Sequence, residues 1–310
     1  MSISIYCSPT HLKVLVGKVS GNNLLVSDFD EPSLPEGGMI NGIITNEDAM
    51  ISFLRETNDR LGLSGQDTHL VIDNNNIRSK VMELPPVSEA KMLEFIGREL
   101  GQFGQFGQDG AAVAERSDVF DYAVLEPKSK EGGVKVLAVA VGRELLETYR
   151  DTFEKAGYEL KSINIGVNAQ IKLAAFVPEL NTGTYILAQV DDRNLALTMF
   201  VDGHYTVANK YRLMNEQSTF DWYSEIGTNI SSMIQFNKGQ HHNSEISETY
   251  FAGLKSTEIT EIRSALSYLG IEIKELDLSG SVSLSGKAAE KQGIFNSGSF
   301  LLNIGTLVKK

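Results

Sequence analysis

A two-lobed α/β chain is predicted by three observations. The stretch from Thr184 to Leu213, TYILAQVDDRNLALTMFVDGHYTVANKYRL, reads as three short strands broken at Asp191-Asp192-Arg193-Asn194 and at Asp202-Gly203. Asp-Gly readily supplies positive φ, so the second break is a strong hairpin signal. The opening stretch from Ser2 to Phe29 repeats this pattern, with turns at Ser8-Pro9-Thr10 and Gly21-Asn22-Asn23, about half a chain away. Two comparable meanders form a weak internal repeat. Between and after them, helical and strand periodicities alternate.

After the first meander, a Pro/Gly loop (Glu31 to Gly38) leads to Met39–Thr45 and a helix. Thr45 is its expected cap, Glu47 and Asp48 suit its first turn, and Met50, Phe53, Leu54 and Leu61 recur at helical spacing. Strands are expected at His69–Asp73 and Ile77–Leu84, the second stopped by Pro85-Pro86. Ser88 then caps a helix carrying Met92, Leu93, Ile96 and Leu100. GQFGQFG (101–107) breaks that helix and reads as a linker whose Phe103 and Phe106 tuck onto the neighbouring core; presentation of the two rings to a partner is the alternative. Strands at Val119–Glu126 and Val134–Val141 follow, then a helix with Leu145, Leu146, Tyr149 and Phe153 on one side and Gly157 as its αL cap. A strand at Leu160–Ile165 and a helix to Phe176, ended by Pro178, close the first half.

The second half continues from its meander into a long helix near Thr219–Phe236, with Tyr223, Ile226, Ile230 and Met233 at the 3.6 period. A short strand at Thr249–Phe251, a helix capped by Ser256, and a strand at Ile271–Leu276 come next. Ser279–Gln292 is Ser/Gly/Lys-rich and expected to be exposed. A final helix spans Ser299–Val308 with Phe300, Leu301, Ile304 and Leu307.

The chain has 310 residues, 42% apolar and 22% charged, enough for two domains or one domain in two lobes. A net charge of −12 without any Lys/Arg-rich run opposes binding to nucleic acid, whose affinity rests on neutralised phosphates. The single Cys7 cannot form an intramolecular disulfide. No basic-then-apolar leader opens the sequence, and the longest apolar run, Val136–Val141, is far below the roughly 20 residues of a spanning helix. A cytoplasmic protein is expected, reaching the membrane only through a partner.

No P-loop, dinucleotide fingerprint or nucleophile elbow occurs, and no catalytic residue is nominated. His241-His242 is the only His cluster, but adjacent loop residues seldom face one metal, so a solvated loop is expected and no metal site. Asp191-Asp192 can be read as a Mg²⁺ site or as a tight turn; the turn is the plainer reading, because short acidic side chains bond their own backbone.

The two meanders and the strand–helix–strand–strand–helix insert resemble the actin-like ATPase superfamily. Within it, the chain is similar to PilM-type proteins of type IV pilus assembly, relatives of the cell-division protein FtsA. The similarity is carried by IRSKVMELPPVSEAKMLEFIGREL (77–100), by 120–165, by MINGIITNEDAMISFL (39–54), and by the last helix, FLLNIGTLV with Gly305. It implies an actin-like (RNase H-like) two-lobed α/β fold with a small α+β insert in the first lobe. The implied divisions are 1–76 for the first lobe, 77–165 for the insert, 166–183 for the return to the first lobe and 184–310 for the second lobe.

The family places an Asp-x-Gly turn between the first two strands of each meander, where the glycine admits a phosphate and the aspartate orients Mg²⁺ or water. Aligning Lys13 with the family's lysine puts Tyr6 and Ser8 at these positions in the first meander. Counting back from Gly203 puts Gln189 and Asp191 there in the second. The family's Gly-Gly beneath the adenosine is reduced to Gly253 in TYFAGL. Three altered motifs imply a pseudo-ATPase without cofactor; the alternative is an active ATPase holding Mg-ATP on Asp191 and Asp192. An FtsA-like membrane-tethered filament is a third reading, but the tail GTLVKK is too short for an amphipathic anchor.

The resemblance further implies a scaffold that holds the cytoplasmic N-terminal segment of a PilN-type inner-membrane protein, with the pilus motor ATPase as another partner and homo-oligomerisation left open. The implied groove lies between the first lobe and the insert, with Val81, Met82 and Leu84 as candidate wall residues; these three also read as ordinary core.

Overall fold

The computed structural model describes residues 1–101, 118–129, 132–240 and 244–308. The first meander is β1 (Ser2–Cys7), β2 (Leu12–Ser20) and β3 (Asn23–Asp30), followed by the small hairpin β4 (Met39–Ile40) and β5 (Ile43–Ile44). Helix α1 (Glu47–Leu61) and strand β6 (Asp67–Ile72) come next. Asn46, not Thr45, caps α1: its side chain accepts from the Ala49 N–H at 3.1 Å, while Thr45 Oγ1 donates to the Gly37 carbonyl. Both residue types can cap, and the loop's own bond to Thr45 shifts the start by one position.

The insert is β7 (Arg78–Leu84), α2 (Glu89–Gly101), β8 (Asp118–Glu126) and β9 (Val134–Gly142), a three-stranded antiparallel sheet in the order β7-β9-β8 with α2 across one face. Its own small core holds Leu84, Met92, Ile96, Leu100, Val134 and Val136. Helix α3 (Arg143–Lys155) ends as its sequence predicts: Gly157 has φ +90°, its N–H bonds Glu154 O, and Tyr158 N–H bonds Phe153 O. Strand β10 (Glu159–Ile165) and helix α4 (Gly166–Phe176) return to the first lobe. Because β10 pairs in parallel with β6, the stretch up to 165 is not all insert: the insert sheet stops at β9.

The second meander is β11 (Tyr185–Asp191), β12 (Asn194–Val201) and β13 (His204–Arg212). It is followed by α5 (Phe220–Gly239), β14 (Glu248–Ala252), α6 (Ser256–Ala265) and β15 (Glu272–Glu275). Ser256 lies inside α6 rather than capping it; the Glu258 carboxylate instead accepts from the Lys255 N–H at 2.9 Å. The chain then crosses back. Strand β16 (Val282–Leu284) pairs with β3, α7 (Gly286–Glu290) follows, and α8 (Leu301–Leu307) lies on β1, β2 and β6. The closing segment expected in the second lobe is therefore part of the first, and Ser279–Gln292 is not simply exposed: Val282 and Ala288 are buried. Phe29 draws it in, packing edge-on against Phe295 (4.9 Å) and Phe300 (5.6 Å).

Two mixed sheets result, β10-β6-β1-β2-β3-β16 and β13-β12-β11-β14-β15. Strand β11 is buried on both faces. Ile186, Ala188 and Val190 join the core under α5 and α6, while Tyr185 and Leu187 join the core that continues through α4 and α8 into the first lobe. The alternation is what a central strand requires. Helices α4 and α8 cross in close contact, and a Cβ on Gly305 would lie 2.0 Å from the Ala169 carbonyl oxygen. Phe103, Phe106 and His241-His242 lie outside the described residues.

Two outcomes follow from this core. In an exposed helix, Gly→Ala gains about 1 kcal/mol; Gly305→Ala will instead lose about 1–3 kcal/mol through overpacking at the crossing, read as a lowered urea midpoint. Burial pushes the Cys7 thiol up to about 12 from 9.0, so the native protein at pH 8 will resist thiol reagents that label the unfolded chain. As the unfolded thiol ionises first, stability will fall as pH rises between these two values.

Candidate functional site: the cleft between the lobes

In open α/β sheets, ligands sit outside the carboxyl ends of the parallel strands. Here β1, β6 and β10 run parallel in one sheet, and β11 and β14 in the other. Their carboxyl ends bring Ser8, Asp73, Gly166, Asp191 and Gly253 to the cleft.

Each predicted position has a definite place. Ser8 is buried and closes its own turn: its N–H donates to the His11 carbonyl at 2.9 Å and its Oγ accepts from the His11 N–H at 3.1 Å. Lys13 Nζ reaches across the cleft to Asp191 Oδ1 at 3.0 Å, with Glu31 at 3.6 Å and the Tyr6 ring centroid 5.9 Å away. Lys13 and Asp191 are only 5% and 12% exposed at their side chains, so this pair is shielded from water. Tyr6 stays protonated far above its ordinary range, first because of burial and then because of the charges of Asp191 and Asp73. Gln189 lies on the same face of β11 as Asp191, two residues back, and is buried against α4. Its Oε1 accepts from Gln170 Nε2 at 2.9 Å, and Gln170 Oε1 in turn accepts from Thr198 Oγ1, a buried polar chain running from α4 into the second sheet. Asp192 occupies the turn at φ +56°, as the turn reading requires.

Gly253 is held for backbone reasons. Its φ is +87°, and a Cβ there would lie 2.0 Å from the Val190 carbonyl oxygen. The segment leading into α8 crosses directly over it: a Cβ on Gly298 would come within 2.9 Å of the Gly253 nitrogen. Asn296 fixes that segment, accepting from the Gly298 N–H at 2.9 Å.

Sequence reading missed a second half of the cleft. Asp73, just past β6, is partly buried against the start of α4, where the Gly166 N–H meets its carboxylate and leaves no room for a side chain at 166. Lys210 of β13 pairs with Asp73 and also donates to the Asn74 carbonyl at 3.4 Å. Two residues along β13, Arg212 Nη1 donates to Asn41 Oδ1 at 3.1 Å. Burial raises the Asp73 carboxyl above its ordinary value, the Lys210 ammonium opposes that rise, and Asp191 adds to it. One signal was available: an aspartate directly after the strand that neighbours β1 falls at a carboxyl edge. Lys210, on a strand with exposed neighbours, gave none.

Chemically, the cleft presents two ammonium groups, each bonded to a carboxylate of the opposite lobe. A phosphate here would have to displace a carboxylate from its ammonium partner, and a carboxylate left beside it at about 4 Å would cost on the order of 1–4 kcal/mol for dielectrics between water and a protein surface. Among the described residues, no group of three or more His, Cys, Asp or Glu is arranged to hold a metal ion. The insert positions divide by face: Leu84 is in the insert core and Met82 packs on it, whereas Val81 packs on the main core.

No family model matches the chain, and no curated protein does. Solved structures do. A chain of a "PilM-PilN type IV pilus biogenesis complex" superposes with a TM-score of 0.77 at 14% identity, covering 99% of this chain and 97% of that one. A Bacteroides thetaiotaomicron protein described as having an "actin-like ATPase fold and unknown function" superposes with a TM-score of 0.54 at 13% identity, covering 89% of this chain and 90% of that one. With its two meander-led lobes and the helices between them, the chain has the actin-like ATPase fold.

Proposed function

We propose that this chain is a non-catalytic, cytoplasmic scaffold of a type IV pilus or related secretion machine, a PilM-type protein that holds the cytoplasmic N-terminal segment of a PilN-type inner-membrane protein. The observation that carries this reading is the full-length likeness to a chain of the PilM–PilN complex, insert included. The cleft supports the non-catalytic part, since its lysines are engaged by the chain's own carboxylates. No helix among the described residues is long and apolar enough to cross a membrane, which fits attachment through a partner.

The insert offers the partner a strand edge. An extended peptide laid along β7, the strand that ends the described order β7-β9-β8, would gain main-chain hydrogen bonds. Val81 of β7, Ala123 and Leu125 of β8 across β9, and Leu145 of α3 are apolar and only partly buried. They form the side-chain pockets of the proposed groove, on the face away from α2. Met82 and Leu84 belong to the α2 face and support the sheet from behind.

Titration with a synthetic N-terminal segment of a PilN-type protein tests this. Val81→Glu will weaken binding at least tenfold and, because Val81 also packs on the main core, will cost about 1–3 kcal/mol of stability, whereas Leu84→Ala will cost about 2–5 kcal/mol of insert stability. Equal binding by the Val81→Glu protein would remove the groove. Calorimetry with Mg-ATP will show no heat at millimolar nucleotide; micromolar binding would bring the ATPase reading forward.

A further inference from the structure

The cleft is closed by bonds that each need both lobes. Lys13 of β2 reaches Asp191 of β11, and Lys210 of β13 reaches Asp73 beyond β6. The second bond is prepared by strand geometry: Ala208, Lys210 and Arg212 are alternate residues and therefore share a face. Ala208 packs on the first-lobe core, Lys210 takes Asp73 and Asn74, and Arg212 takes Asn41.

The start of α4 adds a directional reason. A helix N-terminus favours an anion through its free N–H groups and dipole. In this protein the anion is Asp73, seated against the Gly166 N–H and neutralised from the other lobe by Lys210. Asp191 does the same for Lys13 in the opposite direction.

We propose that Asp73 and Asp191 are built-in substitutes for a bound anion, so that the chain holds its own lobes closed and its cleft does not open and close with nucleotide. Opening the cleft breaks both pairs at once: Asp73, Asp191 and Lys210 lose these partners, and Lys13 keeps only the more distant Glu31 at 3.6 Å. A shielded pair that loses one member is costly, because the remaining charge stays poorly hydrated. The inference rests on the cleft alone and does not depend on which partner the insert holds.

Electron–electron distance measurement between spin labels tests it. Ser52→Cys on α1 and Ser232→Cys on α5 place one label on the exposed face of a helix in each lobe, and the buried Cys7 is protected from labelling. The expected result is one narrow distance, unchanged by millimolar Mg-ATP. Asp73→Asn combined with Asp191→Asn should at least double the width of the distribution and extend it to longer distances, with helix content by circular dichroism retained. Should that double variant fail to fold, Lys210→Met, at a half-exposed position, is expected to give the same broadening. A distribution as narrow as the parent's in the folded variant, or a parent distance that shifts with Mg-ATP, would overturn the proposal. Peptide binding is read separately, so a failed clasp leaves the scaffold reading standing and a failed groove leaves the clasp standing.

Discussion

The close crossing of α4 and α8 is the constraint on which the rest of this structure depends. Both helices lie in the core that joins the two lobes, and their approach is possible because Gly305 has no side chain to meet the Ala169 carbonyl. Lys172 of α4 ties the crossing from one side, its Nζ donating to the Thr306 carbonyl at 2.8 Å; burial holds its pKa below the ordinary value. From the other side, Asn303 Nδ2 donates to the carbonyls of Ser4 and Lys13, at 3.0 and 2.9 Å. The crossing thus anchors the very strand that carries Lys13. A wider crossing would move the strand ends apart, and an ammonium on one lobe would no longer reach a carboxylate on the other.

Closure by ion pairs is not the cheapest way to hold two bodies together. Burying charge carries a desolvation penalty that a well-packed apolar contact avoids, so such pairs say more about geometry than about net stability. Apolar burial between the sheets supplies the stability; Tyr185, Leu187 and Phe200 of the second meander share a core with α4 and the first sheet. The charged pairs and the Thr198–Gln170–Gln189 chain then set the register of one lobe on the other, because a displaced buried polar group has no alternative partner. In the proposed scaffold, that division of labour would keep the docking surface in one place.

The insert is built differently. Its sheet has only three strands and a separate small core under α2, and it meets the main body through Leu137, Val139 and the side chains around Val81. An element with its own core can keep its shape while offering an edge strand, which would be a liability in a sheet without such support. The same independence explains how the architecture persists at 14% identity to the pilus-complex chain. What must be kept is alternation along strands, an apolar stripe on each helix and a few close approaches, and many sequences satisfy those demands.

Much of this could be read without coordinates. Both meanders, the insert order and the helices at Met50, Met92 and Phe153 followed from periodicity and turn chemistry, which depend only on neighbours in the chain. Where Tyr6, Ser8, Gln189 and Asp191 fall in the two meanders was equally countable. The closing segment was not. Its Ser/Gly/Lys composition reads as exposed, yet β16 completes the first sheet because Phe29 offers a surface for Phe295 and Phe300 from the far end of the chain. The clasp was hidden for the same reason. Asp73 and Lys210 are 137 residues apart and belong to different lobes, and nothing local marks either as the other's partner. Sequence by itself determined which segments are strands and helices and where the turns of the two meanders fall, because those properties are written in short-range patterns. Only the tertiary structure decided which charges meet, because that is set by how closely α4 and α8 bring the two sheets together.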